Sequence, residues 1–244
     1  MTTGGKRGRR TPARRSGARS HPTRERILDA AERLFAQRGF HGVSIRDITG
    51  AADVDVALAN YHFGSKQGLL EAVFARRAEE LNGERLARLD ALLAAGRRKA
   101  PTLEEIIDAF THPLLDRSAR GGPGWKSYFA LVAEVNNSPE FGGVLMTRTF
   151  DQVVQRFIEA IRRALPGCEE RDLYWAYHFL SGALTLTFAE TGRIDKLSGG
   201  VCRSNDLDSV HERLVPFCAA GFRALCVRKG RTRKPPARRS KAAR

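Results

Sequence analysis

Ser44 and Lys66 each stand at the start of an amphipathic run, short after Ser44 and long after Lys66. There the free backbone N–H groups and the helix dipole favour a phosphate. Residues for covalent or metal chemistry are not grouped in the same way. The six His, at 21, 41, 62, 112, 178 and 211, include no pair four residues apart, and the four Cys form no CxxC. Metal-ligand spacing is therefore missing. Cys218 and Cys226 are eight apart on one predicted helix, a core or interface spacing. A thiol sensor drawn from Cys168, Cys202, Cys218 and Cys226 is the alternative. No GxSxG, phosphate-binding glycine loop or nucleophile–base motif occurs. The expectation is a protein that is not an enzyme, with no catalytic residues, metal or cofactor.

Charge points to a polyanion. The chain has 244 residues and a net charge of +15. Residues 1–24 carry eight cations and 228–244 carry nine, neither segment with an acid, so 25–227 has a net charge of −2. Both ends are rich in Gly, Ser, Thr, Pro and Ala and cannot bury enough surface to order themselves. Residues 1–22 are expected to be a disordered basic arm and 229–244 a disordered basic tail. Such arms bind nucleic acid by counterion release, or serve only solubility.

The chain is long enough for a real core. Four Cys in 27.0 kDa exclude a disulfide scaffold and suggest a reducing compartment. The basic start has no apolar segment after it and does not read as a secretory signal. The longest uncharged apolar run, Leu173 to Ala189, is shorter than the roughly 20 residues of a membrane span. No membrane partner is expected.

The elements that must position Ser44 and Lys66 are helices. Ile27, Leu28, Ala31, Leu34 and Phe35 form a helical stripe, capped by Thr23 and ended by Gly39. Ser44, with Asp47 three residues on, approaches a capping box for a second helix burying Ile45 and Ile48. Asp53 is expected in a left-handed turn, and Asp55 caps a third helix to Tyr61. Ser65 caps a fourth, running through Leu92. Three short helices with a tight turn between the second and third are the layout of a helix-turn-helix DNA reader.

Residues Thr23 to Phe74 resemble the DNA-binding domain of TetR-type transcriptional regulators. The resemblance rests on the first-helix pattern, Gly39-Phe40, Ser44-Ile45-Arg46-Asp47-Ile48 and the run Asn60-Tyr61-His62-Phe63-Gly64-Ser65-Lys66. It implies an all-α fold: an N-terminal three-helix helix-turn-helix DNA-binding domain (23–70) plus a C-terminal helical ligand-binding and dimerisation domain (71–228). It also implies a cytoplasmic bacterial homodimer, nucleoid-associated when bound to a palindromic operator of double-stranded DNA, with a small-molecule effector. Carried over, the phosphate contacts are Ser44, Arg46, Tyr61, His62 and Lys66. Val56, Ala57 and Asn60 face bases, where Asn can pair with adenine and small apolar groups can touch thymine methyls. As alternatives, Tyr61 is packing, Arg46 a solvated charge and His62 a helix end.

Two departures matter. Asp53 stands where the family often has Gly. Ala59 stands where the third helix often has a large apolar residue, so Leu58 is expected to take over and rotate the reading face. Positions 41–63 hold one Arg and no Lys against Asp47, Asp53 and Asp55, which leaves the basic arm to supply phosphate affinity.

In the remainder, helices are expected over Thr102 to Leu115, Trp125 to Val135, Val144 to Leu165, Glu169 to Thr191 and Asp208 to Val227, with a loop over Gly192 to Asn205. Trp125, Tyr128, Phe129, Phe150, Phe157, Trp175, His178 and Phe179 are either plain core or an effector pocket, for which a loose resemblance to family members that sense lipophilic molecules implies a lipophilic effector. The run Leu173–Ala189 is apolar on all sides, so it must be covered on more than one face. A dimer through this helix and the last one is expected, at Leu180, Gly182, Ala183, Leu184, Phe217, Gly221 and Leu225, as a four-helix bundle. The function expected is a ligand-responsive, sequence-specific repressor. The alternative is a non-specific nucleic-acid binder driven by the basic tails, and a helical enzyme ranks last.

Overall fold

The computed structural model describes residues 22–95 and 100–226. The arm and tail expected at 1–22 and 229–244 therefore lie outside the described residues, save for Pro22. No strand occurs among the described residues, and the fold is all-α. The first three helices are α1 (Thr23–Arg38), α2 (Ile45–Ala52) and α3 (Val56–Phe63). The long α4 (Lys66–Ala95) follows. Then come α5 (Leu103–Arg120), α6 (Pro123–Asn136), α7 (Gly142–Ala164), α8 (Glu170–Phe188), α9 (Arg193–Leu197) and α10 (Leu207–Cys226).

Local signals set most of these bounds. Ser44 and Asp47 form the expected capping box on α2, and Thr102 and Glu105 form another on α5. Asp55 accepts from the Ala57 N–H at 2.7 Å and starts α3. Gly39, with φ 71°, closes α1 in a conformation that disfavours a Cβ. Thr23 departs from its expected capping role. It already lies inside α1, and the Pro22 carbonyl accepts from the Glu25 and Arg26 N–H groups instead. The expected loop over 192–205 contains α9, a single short turn.

α4 joins the two halves. Its 30 residues extend about 45 Å at 1.5 Å per residue. Leu69, Leu70, Val73 and Phe74 are buried near its start, where it packs on α1, and Leu81 and Leu89 are buried further along. α1 also packs on α6, so the reader rests directly on the body. The body is a layered bundle in which α5 packs on α4 and α10, and α8 packs on α10 and α6. Cys168, after α7, is disulfide-bonded to Cys226 at the end of α10. Residues 58 apart in sequence meet here, a bond that the expected reducing compartment did not anticipate. Cys218 is buried, which pushes its thiol up to about 11, while Cys202 is exposed. No helix among the described residues is long and apolar enough to cross a membrane.

Candidate nucleic-acid interface

α3 is held from below by one small residue and from its ends by caps. Ala59 is 2% exposed, and its small side chain lets α3 lie close on its neighbours. Leu58 is 40% exposed and does not take over the core position. The expected rotation of the helix therefore does not occur. The outward face carries Ala57, Leu58, Asn60, Tyr61 and His62, with Val56 half-buried. Tyr61 is 83% exposed and meets His62 edge-on, with centroids 5.2 Å apart. An aromatic side chain held that far out contributes nothing to the core.

The turn before α3 is fixed from α1. Asp53 adopts φ 51° and ψ 55°, the expected left-handed conformation. The Arg26 guanidinium donates to the carbonyls of Ala52 (2.5 Å) and Asp53 (2.7 Å). No local pattern marks Arg26, because its partners lie 26 and 27 positions away.

Two expected phosphate contacts turn out to be engaged internally. The Lys66 ammonium donates to the carbonyls of Phe40 and Val43, each at 3.0 Å, and sits 4.2 Å over the Phe40 ring. It braces the α1–α2 turn. The Ser44 N–H donates to the Asp47 carboxylate at 2.8 Å, and its hydroxyl contacts the same carboxylate at 2.5 Å. Those hydrogen bonds hold the Asp47 carboxyl below its usual range. The α2 N-terminus thus already has an acid on it. Arg46 is exposed and makes no ion pair among the described residues. With Asn60, Tyr61 and His62 it offers polar groups to the outside.

The reader is also keyed to the body. Buried Glu32 of α1 takes Arg77 of α4 at 2.6 and 2.8 Å, and Arg76 at 2.9 Å. Asp29 and Glu32 hold the Arg76 guanidinium charged, above its usual range, although burial opposes this first. Arg77 in turn lies 4.9 Å over the Trp125 ring of α6. Phe40 meets Phe141 edge-on at 4.6 Å, and His41 contacts Glu140 at 3.0 Å.

Comparison with known proteins accounts for this architecture. Residues 27–73 match the family described as bacterial regulatory proteins, tetR family. Residues 108–221 match the tetracyclin repressor-like C-terminal domain. The chain belongs to the TetR family. Its HTH-type relatives include the transcriptional regulator YttP of Bacillus subtilis, 47% identical over 49 residues. That match covers 20% of this chain and 24% of YttP, and a match to UidR of Escherichia coli covers 31% of UidR. The chain thus spans less than a third of the length of these relatives. Rv1255c of Mycobacterium tuberculosis is 26% identical over 173 residues, covering 69% of this chain and 78% of the relative. A TetR-family structure from Shewanella sp. PV-4 shares the fold, with a TM-score of 0.58 at 19% identity, over 85% of this chain and 97% of that one. The fatty acid degradation regulator FadR of Bacillus halodurans aligns with a TM-score of 0.57 at 15% identity, over 81% and 97%. The family and its relatives are transcription regulators and not enzymes.

In this TetR-family body, the eight candidate pocket residues do not come together. Trp125, Tyr128, Phe129, Phe150 and Phe157 are buried. Trp175, His178 and Phe179 lie on the outer face of α8, where the Trp175 and Phe179 rings stack at 5.9 Å. The dimer residues divide as well. Leu180 and Leu184 are buried within the chain, and Ala183 and Leu225 are half-buried. Gly182, Gly221 and Phe217 face outward. The free apolar face of α8 and α10 is therefore Trp175, Phe179, Gly182, Leu186 and Phe217, with Phe217 73% exposed. Periodicity showed that every side of α8 is apolar, but it could not tell which side the chain itself covers.

The interior holds one further group that the sequence did not flag. Arg85 is 2% exposed, 3.8 Å over the Phe110 ring, and burial pulls its guanidinium down to about 10. It donates to Asn82 at 3.2 Å, but its Nε has no partner. The buried Tyr128 hydroxyl has none either, and burial pushes its pKa up.

Proposed function

We propose that this chain is a sequence-specific, ligand-responsive transcriptional regulator that binds a palindromic operator as a homodimer and acts as a repressor. The single observation that carries the DNA reading is the outward face of α3, with Tyr61 83% exposed beside Asn60 and His62. Ala57, Val56 and Asn60 read base edges, and Arg46, Tyr61 and His62 meet the backbone. Ser44 and Lys66 act by shaping the surface that meets the phosphates.

A two-fold dimer supports the palindrome, because it presents two recognition helices to successive major-groove faces. The apolar face of α8 and α10 supports that dimer. It continues into a groove of about 920 Å³ lined by Leu186, Ile194, Leu197, Val201 and Phe217, apolar surface that a second copy would cover. An effector is supported by the unpartnered donors of Arg85 and Tyr128 among aromatic rings. Unmade hydrogen bonds inside a core are costly. A small lipophilic molecule bearing an anionic or acceptor group fits that chemistry, and its entry would release DNA.

Site selection from random duplex DNA at physiological salt tests the reading. Wild type should enrich an inverted repeat, and Tyr61→Ala should not. Unselective output from wild type would leave the tail-driven, non-specific binder as the better account.

A further inference from the structure

Asp108 and His112 stand one turn apart on α5, and His211 faces them from α10. His211 Nε2 lies 2.6 Å from Asp108 Oδ1, and the His112 and His211 rings meet edge-on with centroids 4.7 Å apart. One donor atom from each of the three lies within 4.8 Å of the others, and all three residues are half-buried. The sequence search for paired His missed this set, because the helical pair is Asp–His and the third member is about a hundred residues away.

We infer that Asp108, His112 and His211 bind a divalent transition-metal ion, with zinc as the best fit. Two imidazoles and one carboxylate are borderline donors, suited to zinc and its first-row neighbours and not to calcium or magnesium. Zinc bonds of about 2.0–2.2 Å in a tetrahedron put neighbouring donors roughly 3.3 Å apart. The His211–Asp108 contact at 2.6 Å is shorter than that spacing, and all three donors lie within 4.8 Å of one another. Closing the set around an ion parts that contact and draws the third donor inward by side-chain rotation. Three protein ligands leave the fourth position to water.

The place of the site gives it a consequence. α10 is tied to α5 at two other levels, by Arg120 to Asp208 at 2.5 Å and by Arg223 to Glu104 at 2.6 and 2.7 Å. The three-residue cluster lies between these ties. A metal there replaces a single His–Asp contact with three coordinate bonds and locks α10 on α5. Phe217, one and a half turns further along α10, belongs to the face proposed for dimerisation, so the ion also fixes the orientation of that face. This last step rests on the dimer reading, whereas metal binding itself does not.

The test uses the full-length, tag-free protein, stripped with a chelator and dialysed against zinc. One zinc per chain is expected, with a rise in melting temperature. Cobalt should substitute and give visible ligand-field bands without the near-ultraviolet band of a thiolate ligand. His112→Asn and His211→Asn should each weaken zinc binding ten- to a hundredfold, and His41→Asn should leave it unchanged. Melting of the metal-free variants, read beside wild type, separates loss of a ligand from loss of the fold. Absence of saturable binding to wild type overturns the inference. So does binding that survives in the folded double variant, or a thiolate band with cobalt. A metal site without operator selection would sink the DNA reading alone, and operator selection without metal would sink this inference alone.

Discussion

Lys66 and Arg46 are the two reader cations that the sequence treated alike, and they face opposite tasks. The Lys66 ammonium makes two hydrogen bonds to carbonyls of the α1–α2 turn and covers an aromatic ring. Lys66→Gln should therefore lower the stability of the chain by about 2–3 kcal/mol, the worth of a charge-assisted pair left unmade, as read by urea unfolding. Arg46 is exposed and makes no ion pair among the described residues. Arg46→Ala should change stability by less than about 0.5 kcal/mol, yet reduce the salt slope of operator binding by about one. Equal melting of the two variants would return Lys66 to the phosphates. What the sequence revealed at this scale followed from chain distance. The Ser44–Asp47 box, the left-handed Asp53 and the Asp55 cap are made within three residues and were legible. The braces from Arg26 and Lys66 cross more than twenty positions and were not.

At the scale of elements, helical periodicity located the long helices to within a few residues, because each buries one stripe. It failed on α8, where all sides are apolar. Aromatics assigned to a pocket, Trp175 and Phe179, lie outside, and the interface residues Leu180 and Leu184 lie inside. The junction between reader and body was invisible for a similar reason. Glu32 sits on the buried side of α1, where a charge breaks the pattern and reads as noise. In the fold it holds Arg76 and Arg77 together and links α1 to α4, with Trp125 of α6 beneath. Gly124 belongs to the same joint, because a Cβ there would run into Arg77. Glu32→Ala strips Arg77 of its carboxylate, while Arg76 keeps Asp29 and Glu25. It should cost about 3–5 kcal/mol, the range for breaking a buried pair, measured by denaturant midpoint at constant slope. If the joint also carries the effector signal, Trp125→Leu should fold normally and bind operator, but respond less to any molecule that releases wild type.

For the whole molecule, the decisive quantity is where charge sits relative to DNA. Residues 25–227 carry a net charge of −2, so the folded part gains little from the duplex electrostatically. Three of those acids, Asp47, Asp53 and Asp55, lie on the reader. On the proposed reading, base contacts from α3 discriminate sequences, and phosphate neutralisation comes largely from elsewhere. Residues 1–22 carry seven cations, and we propose that segment for this role. If each neutralises one phosphate, the slope of log affinity against log salt carries a contribution of about −6 from that segment. Deleting residues 1–22 should remove most of that slope and weaken binding strongly at low salt. The inverted repeat should still be the preferred sequence, because α3 is untouched, and the ratio of operator to random binding should hold or rise. An unchanged slope would mean that the arm stays off the DNA and that another surface of the body neutralises phosphates. A flat slope together with loss of sequence preference would mean that the arm carried all the binding, with Tyr61 and its neighbours as bystanders.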